Sequence, residues 1–265
     1  MGRKAMSEVN VKPQAPKDLT DHPFYGLKLD EHQKIFRDAI WNPNKLIVFC
    51  NAKAGTGKTT IATATADLLC KYGLYDGIVY IAAPTQEQKQ GYLAGSIEEK
   101  SEPYFEPFYE ALQKIGANLN TIMFDNIMNE KNGTAYVRCV THTFLRGTNF
   151  ENKVVIIDEA QNYYFDELMK VLTRLHDNCK VIVIGHDGQV DLYKNPERSG
   201  FVRYLNWFAP DDRCAICELK KNYRGWISQH ADDLTYNLAM KIKKRGRWLH
   251  TYLSNVPAKI ILRGT

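Results

Sequence analysis

Apolar positions along the chain follow two periods. Leu46-Ile47-Val48-Phe49-Cys50, Val154-Val155-Ile156-Ile157 and the run from Lys180 to Ile184 are short, continuous and bounded by polar or glycine-containing turns. That is the pattern of strands buried on both faces. It predicts strands over 46–50, 78–82, 135–140, 153–157 and 180–184. Between them lie helical stretches over 58–71 and 165–175 and a short helix around 142–146. Upstream, DEHQKIFRDAIWN predicts an amphipathic helix with Ile35, Phe36, Ala39 and Ile40 on one side. Alternating strands and helices imply an α/β fold, a mostly parallel sheet with helices on both faces. A polar-aromatic stretch interrupts the alternation as an insertion around 86–132, with helical segments from Pro103 to Ile115 and Leu119 to Asn129. Past residue 200 the pattern loosens, leaving a strand at 214–218, a helix at 226–240 and a final strand at 258–262. Residues 1–20 have the polar composition of a disordered tail, and no linker divides 21–265, which predicts a single domain there.

One turn in this framework carries chemistry. AKAGTGKTT, Ala52 to Thr60, joins the first strand to the first helix of the alternation. Gly55 and Gly57 allow backbone conformations that a Cβ would block, so N–H groups of the loop can converge on an anion. Ala54, Gly55, Thr56, Gly57 and Thr60 would line a phosphate cradle, with Lys58 reaching the β- and γ-phosphates and the Thr59 hydroxyl ligating Mg²⁺. The N-terminus of the following helix adds its dipole to the site. Ala52 stands where the full G-x-x-x-x-G-K-[ST] pattern has its first glycine. The plainer alternative is a small-residue turn without a ligand, against which strand, turn, lysine and helix all agree.

A second strand ends in Asp158-Glu159, within KVVIIDEAQN. Two carboxylates after an apolar strand are costly unless they serve something. The aspartate can hold the water shell of Mg²⁺ and the glutamate can polarise an attacking water. The alternative is that Asp158 caps the helix starting near Phe165 or Asp166. A third strand ends in GHDGQVDL, where Gln189 could contact the γ-phosphate or orient water.

Composition narrows the class. The chain has 265 residues, 44% hydrophobic and 25% charged, a globular balance with enough length for one large α/β domain. The net charge of +5 permits nucleic-acid binding without demanding it. No apolar run approaches the roughly 18 residues of a bilayer span, and with polar first residues no signal peptide is expected. Six scattered cysteines fit free thiols in a cytoplasmic enzyme. Cys214-x-x-Cys217 is a single knuckle without a second pair at zinc-ribbon spacing, inside a segment that alternates like a strand.

Together AGTGKT, GYLAGSIEEKSEPYFEPFYEAL, FLRGTNFENKVVIIDEAQN and GQVDL, spread over Leu27 to Leu234, resemble the PhoH family of ATPases and more distantly the superfamily 1 helicases. The resemblance implies a RecA-like P-loop core that hydrolyses ATP with Mg²⁺. It implies phosphate and metal binding by Lys58 and Thr59, a metal-and-water pair in Asp158 and Glu159, and a γ-phosphate sensor at Gln189. It also implies a catalytic arginine at Arg146 and a glutamine, Gln33, that reads adenine. Asn222-Tyr223-Arg224 could supply a downstream arginine. Departures from the family pattern are Ala52-Lys53 for Gly-Pro, Ala83 before Pro84 where an arginine is common, and His186 for an aspartate. The resemblance is to a stand-alone phage or bacterial form without a leading nuclease domain. The residues after Gln189 are too few for a second RecA-like domain, so an arginine from a neighbouring subunit is expected, in a homo-oligomeric ring such as a hexamer.

The work coupled to hydrolysis is expected to act on single-stranded RNA or DNA. KIKKRGRWLHTY places Lys243, Lys244 and Arg245 close to Trp248, a combination able to contact phosphates and stack on bases. A solvated helix end with a core tryptophan explains the same residues. Two other classes compete: a nucleoside kinase of the thymidine-kinase type, which would carry two CxxC pairs around zinc, and a non-catalytic nucleic-acid-binding module.

Overall fold

The computed structural model describes residues 13–83, 101–145, 147–188, 190 and 198–231. These divide into two units, one ending at Lys221 and one beginning at Asn222. The first is built on six parallel strands: β1 (Ile47–Ala52), β2 (Ile78–Ala82), β3 (Val137–Thr141), β4 (Val154–Ile157), β5 (Lys180–Gly185) and β6 (Cys214–Leu219). Their order is β3-β2-β4-β5-β1-β6. The fold is thus the α/β class that the alternation predicts, and β5 separates β1 from β4 as in a RecA-like P-loop core. In register, Cys50 of β1 faces Ile184 of β5 on one side and Cys217 of β6 on the other.

Successive residues of each strand point to opposite faces, so the sheet divides the core in two. Val48, Cys50, Tyr80, Ile156 and Ile184 belong to one cluster, packed with α1 (Glu31–Trp41), α2 (Lys58–Lys71) and the helix Glu106–Lys114. Phe49, Ile81, Val155, Ile157 and Val183 belong to the other, with the helices Phe165–Leu172 and Phe201–Phe208. Cys214 and Cys217, three apart on β6, fall into opposite clusters. Their thiols therefore face away from each other across the sheet, an arrangement that one metal ion could not bridge.

Local chemistry sets the element ends. Asp30 and Gln33 form a reciprocal capping box at the start of α1, with Gln33 N donating to Asp30 Oδ1 at 2.8 Å and Asp30 N to Gln33 Oε1 at 3.1 Å. The buried face of α1 carries Gln33, Phe36, Arg37, Ile40 and Trp41 at i, i+3, i+4, i+7 and i+8. Ile35, expected on the inner side, lies off this stripe and is 58% exposed. The helical segment expected from Leu119 to Asn129 is broken into Leu119–Ile122 and Ile127–Asn132, because Asn118 and Asn126 each cap a new start. The short helix expected around 142–146 is one 3₁₀ turn, His142–Phe144.

The helix Phe201–Phe208 was not legible in the loosened pattern past residue 200. It packs close to its neighbour because Gly200 lacks a side chain: a Cβ there would stand 3.0 Å from Phe165 Cα. Inside α2, the fully buried Asp67 accepts from the Tyr136 hydroxyl at 2.5 Å and from the Tyr25 hydroxyl, and pairs with Lys71 at 2.7 Å. This ties the segment before α1 and the lead into β3 to the helix that starts at the glycine loop.

In the second unit the described residues are 222–231. Asn222 Nδ2 donates to Ser228 Oγ at 3.0 Å, Arg224 N donates to Asn222 Oδ1 at 2.8 Å, and the rings of Trp226 and His230 stack at 4.9 Å. The expected strand at 258–262, much of the expected helix 226–240, residues 1–12 and residues 84–100 lie outside the described residues. No helix among the described residues is long and apolar enough to cross a membrane.

Candidate nucleotide site

Parallel strands end on one edge of the sheet, and the candidate residues follow from which strands end side by side. β1 runs into Lys53–Gly57, β4 into Asp158-Glu159, and β5, between them, into His186-Asp187. Ala52 is the last paired residue of β1, opposite Leu219, and has no positive φ. Alanine therefore fits where the motif has its first glycine. The demanding turn comes further on: Gly55 and Gly57 have φ of 76° and 83°, in the left-handed region that glycine enters freely. Gly57 is the N-cap of α2, so Lys58 and Thr59 open the helix. Thr56 Oγ1 closes the loop onto Lys53 O at 2.9 Å.

The two motifs meet through short bonds. Thr59 Oγ1 donates to Asp158 Oδ2 at 2.9 Å, joining residues 99 positions apart. The same oxygen accepts from the Tyr80 hydroxyl at 2.9 Å, and Glu159 N donates to Asp158 Oδ1 at 2.7 Å. Burial, and then the charge of Glu159, push the Asp158 carboxyl up from its ordinary range, against the pull of Lys58 and the Tyr80 hydroxyl. A buried carboxylate oxygen beside a threonine hydroxyl is a hard-oxygen donor set suited to Mg²⁺. The converging glycine loop and Lys58 suit a polyphosphate.

Glu159 adopts φ 48°, ψ 42°, a left-handed conformation that a non-glycine residue holds at a cost of about 1–2 kcal/mol. Its carboxylate lies 3.4 Å from Lys58 Nζ by one oxygen and accepts from Gln161 Nε2 at 2.5 Å by the other. Gln161 Oε1 in turn accepts from His186 N at 2.9 Å. Asn51, at the end of β1, accepts from Asp187 N at 3.2 Å. Gly185 makes room for this link, because a Cβ there would stand 2.8 Å from Gln161 Oε1. The end of β5 is thereby joined to both neighbouring strands.

Lys58, Thr59, Asp158 and Glu159 are thus brought together, and Ala54, Gly55, Thr56, Gly57 and Thr60 lie in the connecting loop and helix start. Gln33 sits behind that loop. Its Nε2 donates to Thr56 O at 2.9 Å while its Oε1 serves the α1 cap, so its amide steadies the loop in this structure. Arg146, Gln189, Lys243, Lys244, Arg245 and Trp248 lie outside the described residues. Two participants were not singled out from sequence, Tyr80 and Gln161. A hydroxyl-bearing ring within the apolar run IVYIA was the available signal for Tyr80, since a buried tyrosine hydroxyl needs a partner.

Comparison with known proteins places the chain. Residues 28–231 match the family described as PhoH-like protein. Protein PhoH of Escherichia coli (strain K12) is 34% identical over 180 residues, covering 67% of this chain and 49% of that protein. Protein PhoH2 of Bacillus subtilis (strain 168) is 30% identical over 185 residues, covering 69% of this chain and 41% of that protein. The chain thus spans less than half the length of these relatives. Among solved structures, the large terminase of bacteriophage HK97 aligns over 83% of this chain and 48% of its own, at 15% identity and a TM-score of 0.45. The Hef helicase domain of Pyrococcus furiosus aligns over 73% of this chain and 39% of its own, at 17% identity and a TM-score of 0.42.

Proposed function

The chain belongs to the PhoH-like protein family, and we propose that it is a Mg²⁺-dependent ATPase whose hydrolysis is coupled to binding single-stranded nucleic acid. The observation that carries this reading is the 2.9 Å bond from Thr59 to Asp158, which joins the glycine loop to the carboxylate pair. In this reading the loop from Lys53 to Gly57 wraps the phosphates with its backbone N–H groups and Lys58 supplies the charge on the β- and γ-phosphates. Thr59 and Asp158 would hold Mg²⁺, which supplies neutralisation of the charge on the phosphate oxygens when bound. Glu159 accepts a proton from, or orients, the attacking water, held in place by Gln161.

Arg146 and Gln189 are proposed for the γ-phosphate, and Gln33 for the adenine edge, which would require its amide to exchange the bond to Thr56 for the base. The segment with Lys243, Lys244, Arg245 and Trp248 is proposed as the nucleic-acid contact, with RNA preferred. A ring of subunits would supply any further arginine, and the cytoplasm is the proposed setting. Opposed Cys214 and Cys217 count against the zinc-bearing nucleoside kinase alternative. The deciding measurement is ATP turnover with and without single-stranded RNA and DNA. Mg²⁺-dependent hydrolysis, lost in folded Lys58→Ala and stimulated by the nucleic acid, is the expected result. A parent protein that neither binds nor hydrolyses nucleotide would overturn the reading.

A further inference from the structure

The Tyr80 hydroxyl lies inside the site but belongs to neither nucleotide motif. Tyr80 is the middle residue of β2, almost wholly buried, and donates at 2.9 Å to the Asp158 oxygen that also accepts from Thr59. Its ring lies flat against Phe108, with centroids 4.4 Å apart and planes at 10°, and edge-on to Phe105 at 6.3 Å. Phe108 is fully buried on the helix Glu106–Lys114, which belongs to the stretch between β2 and β3. One rigid side chain therefore has its polar end on the carboxylate and its apolar face on the inserted helix. A tyrosine has two side-chain torsions, so a shift of the ring under Phe108 moves the hydroxyl with it.

We propose that Tyr80 is a positioning residue for the cation-binding carboxylate, and that the helix Glu106–Lys114 sets the carboxylate's position through the Phe108 ring. The inserted helix is then part of the control of Mg²⁺ and nucleotide binding, acting through Phe108 and Tyr80. Asp158 Oδ2, accepting from two neutral donors, is fixed in direction, and Oδ1, which accepts only from Glu159 N, retains capacity for a metal on its remaining lone pair. Without the Tyr80 hydroxyl, Oδ2 keeps Thr59 alone and Oδ1 keeps Glu159 N, so the carboxylate is held less firmly and the cation would have to complete its fixing on binding. This inference rests on the ATPase reading above.

The test is a Mg²⁺ titration of the full chain, read by binding of a fluorescent ADP analogue and separately by ATP turnover. Tyr80→Phe keeps the ring and its stacking while removing the hydroxyl. It is expected to raise the Mg²⁺ midpoint about ten-fold in both readouts, the scale of a lost bond to a charged acceptor, with the parent's maximal rate recovered at saturating Mg²⁺. Phe108→Leu is expected to move the midpoint the same way, by about three-fold, and to add nothing in the Tyr80→Phe background. A folded Tyr80→Phe protein with an unchanged or lowered midpoint overturns the proposal. Should that variant melt early, Phe108→Leu decides alone, and an unchanged midpoint overturns the coupling. A parent protein that binds no nucleotide at any Mg²⁺ concentration sinks the ATPase reading instead.

Discussion

Lys58 Nζ lies 3.4 Å from Glu159 Oε1, so the lysine of the glycine loop is paired with the second carboxylate of the β4 motif. Lys58 is almost buried and Glu159 half exposed, which leaves the pair partly screened and easy to exchange. In the proposed reading an incoming phosphate would compete with Glu159 for the ammonium, and Glu159, once displaced, would still be held by Gln161. Nucleotide binding and release of the glutamate would then be one event.

Two substitutions separate the partners. Lys58→Ala removes the ammonium that, in the proposed reading, faces the phosphates, and should weaken nucleotide binding at least ten-fold in a protein that still folds. Glu159→Gln removes the carboxylate that pairs with Lys58 and, in the proposed reading, the base together. Its affinity should equal or exceed that of the parent while turnover at saturation falls about 100-fold or more. Equilibrium binding of a labelled nucleotide, set beside steady-state rates, distinguishes these outcomes. Weaker binding with an intact rate in Glu159→Gln would reverse the assigned roles.

Gln161 and Gly185 should behave as one device. Gln161→Leu frees Glu159 from its support, and Gly185→Ala drives a Cβ into Gln161 Oε1 at 2.8 Å. Each should lower the rate at saturation by about ten-fold or more, with nucleotide affinity close to that of the parent. The double variant should be little worse than either single one, since both break the same link. Additive losses would contradict this coupling.

Lys180 provides a pH signature. It is fully buried at the start of β5, donates to Asn42 O at 2.7 Å and to Lys45 O, and burial pulls its ammonium down from 10.5 to about 8. As pH rises from about 8 to 10.5, the folded protein sheds this proton before the unfolded chain does. The unfolded state therefore binds more protons in that window, and stability from this group rises with pH. Below about 8 the burden of the buried charge is fully present. Unfolding free energies of the parent minus those of Lys180→Met should climb across this window, by up to about 3 kcal/mol. A flat difference would place the lysine's ionisation elsewhere.

The Asp67 cluster bears on stability and stands apart from the chemistry. Tyr136→Phe removes one of the donors to a fully buried carboxylate and should cost about 1–3 kcal/mol in denaturant unfolding. Asp67→Ala strands two tyrosine hydroxyls and Lys71 and should cost more, about 3–5 kcal/mol. If Tyr136→Phe left the unfolding midpoint unmoved, the cluster would not be holding the lead into β3.

The sequence by itself determined the parallel strands, the glycine loop and the carboxylate pair, because each is a local matter. A continuous apolar run buries both faces of a strand, Gly55 and Gly57 supply the positive φ that the turn requires, and GKT opens a helix. The strand-and-helix alternation then leaves few arrangements of the sheet. Tertiary structure alone decided which strand ends lie side by side. The strand order β3-β2-β4-β5-β1-β6 puts β5 between β1 and β4 and β2 beside β4. That order brings Tyr80 to Asp158 and His186 N to Gln161, contacts across 78 and 25 positions that no local pattern announces. It also left Ile35 outside and Gln33 inside, since the face a helix buries is set by what packs against it. The helix Phe201–Phe208 has a glycine without a capping side chain at its N-cap and owes its place to the close approach that Gly200 allows. Motifs are written in neighbouring residues, whereas their supports come from whichever distant strand the sheet places next to them.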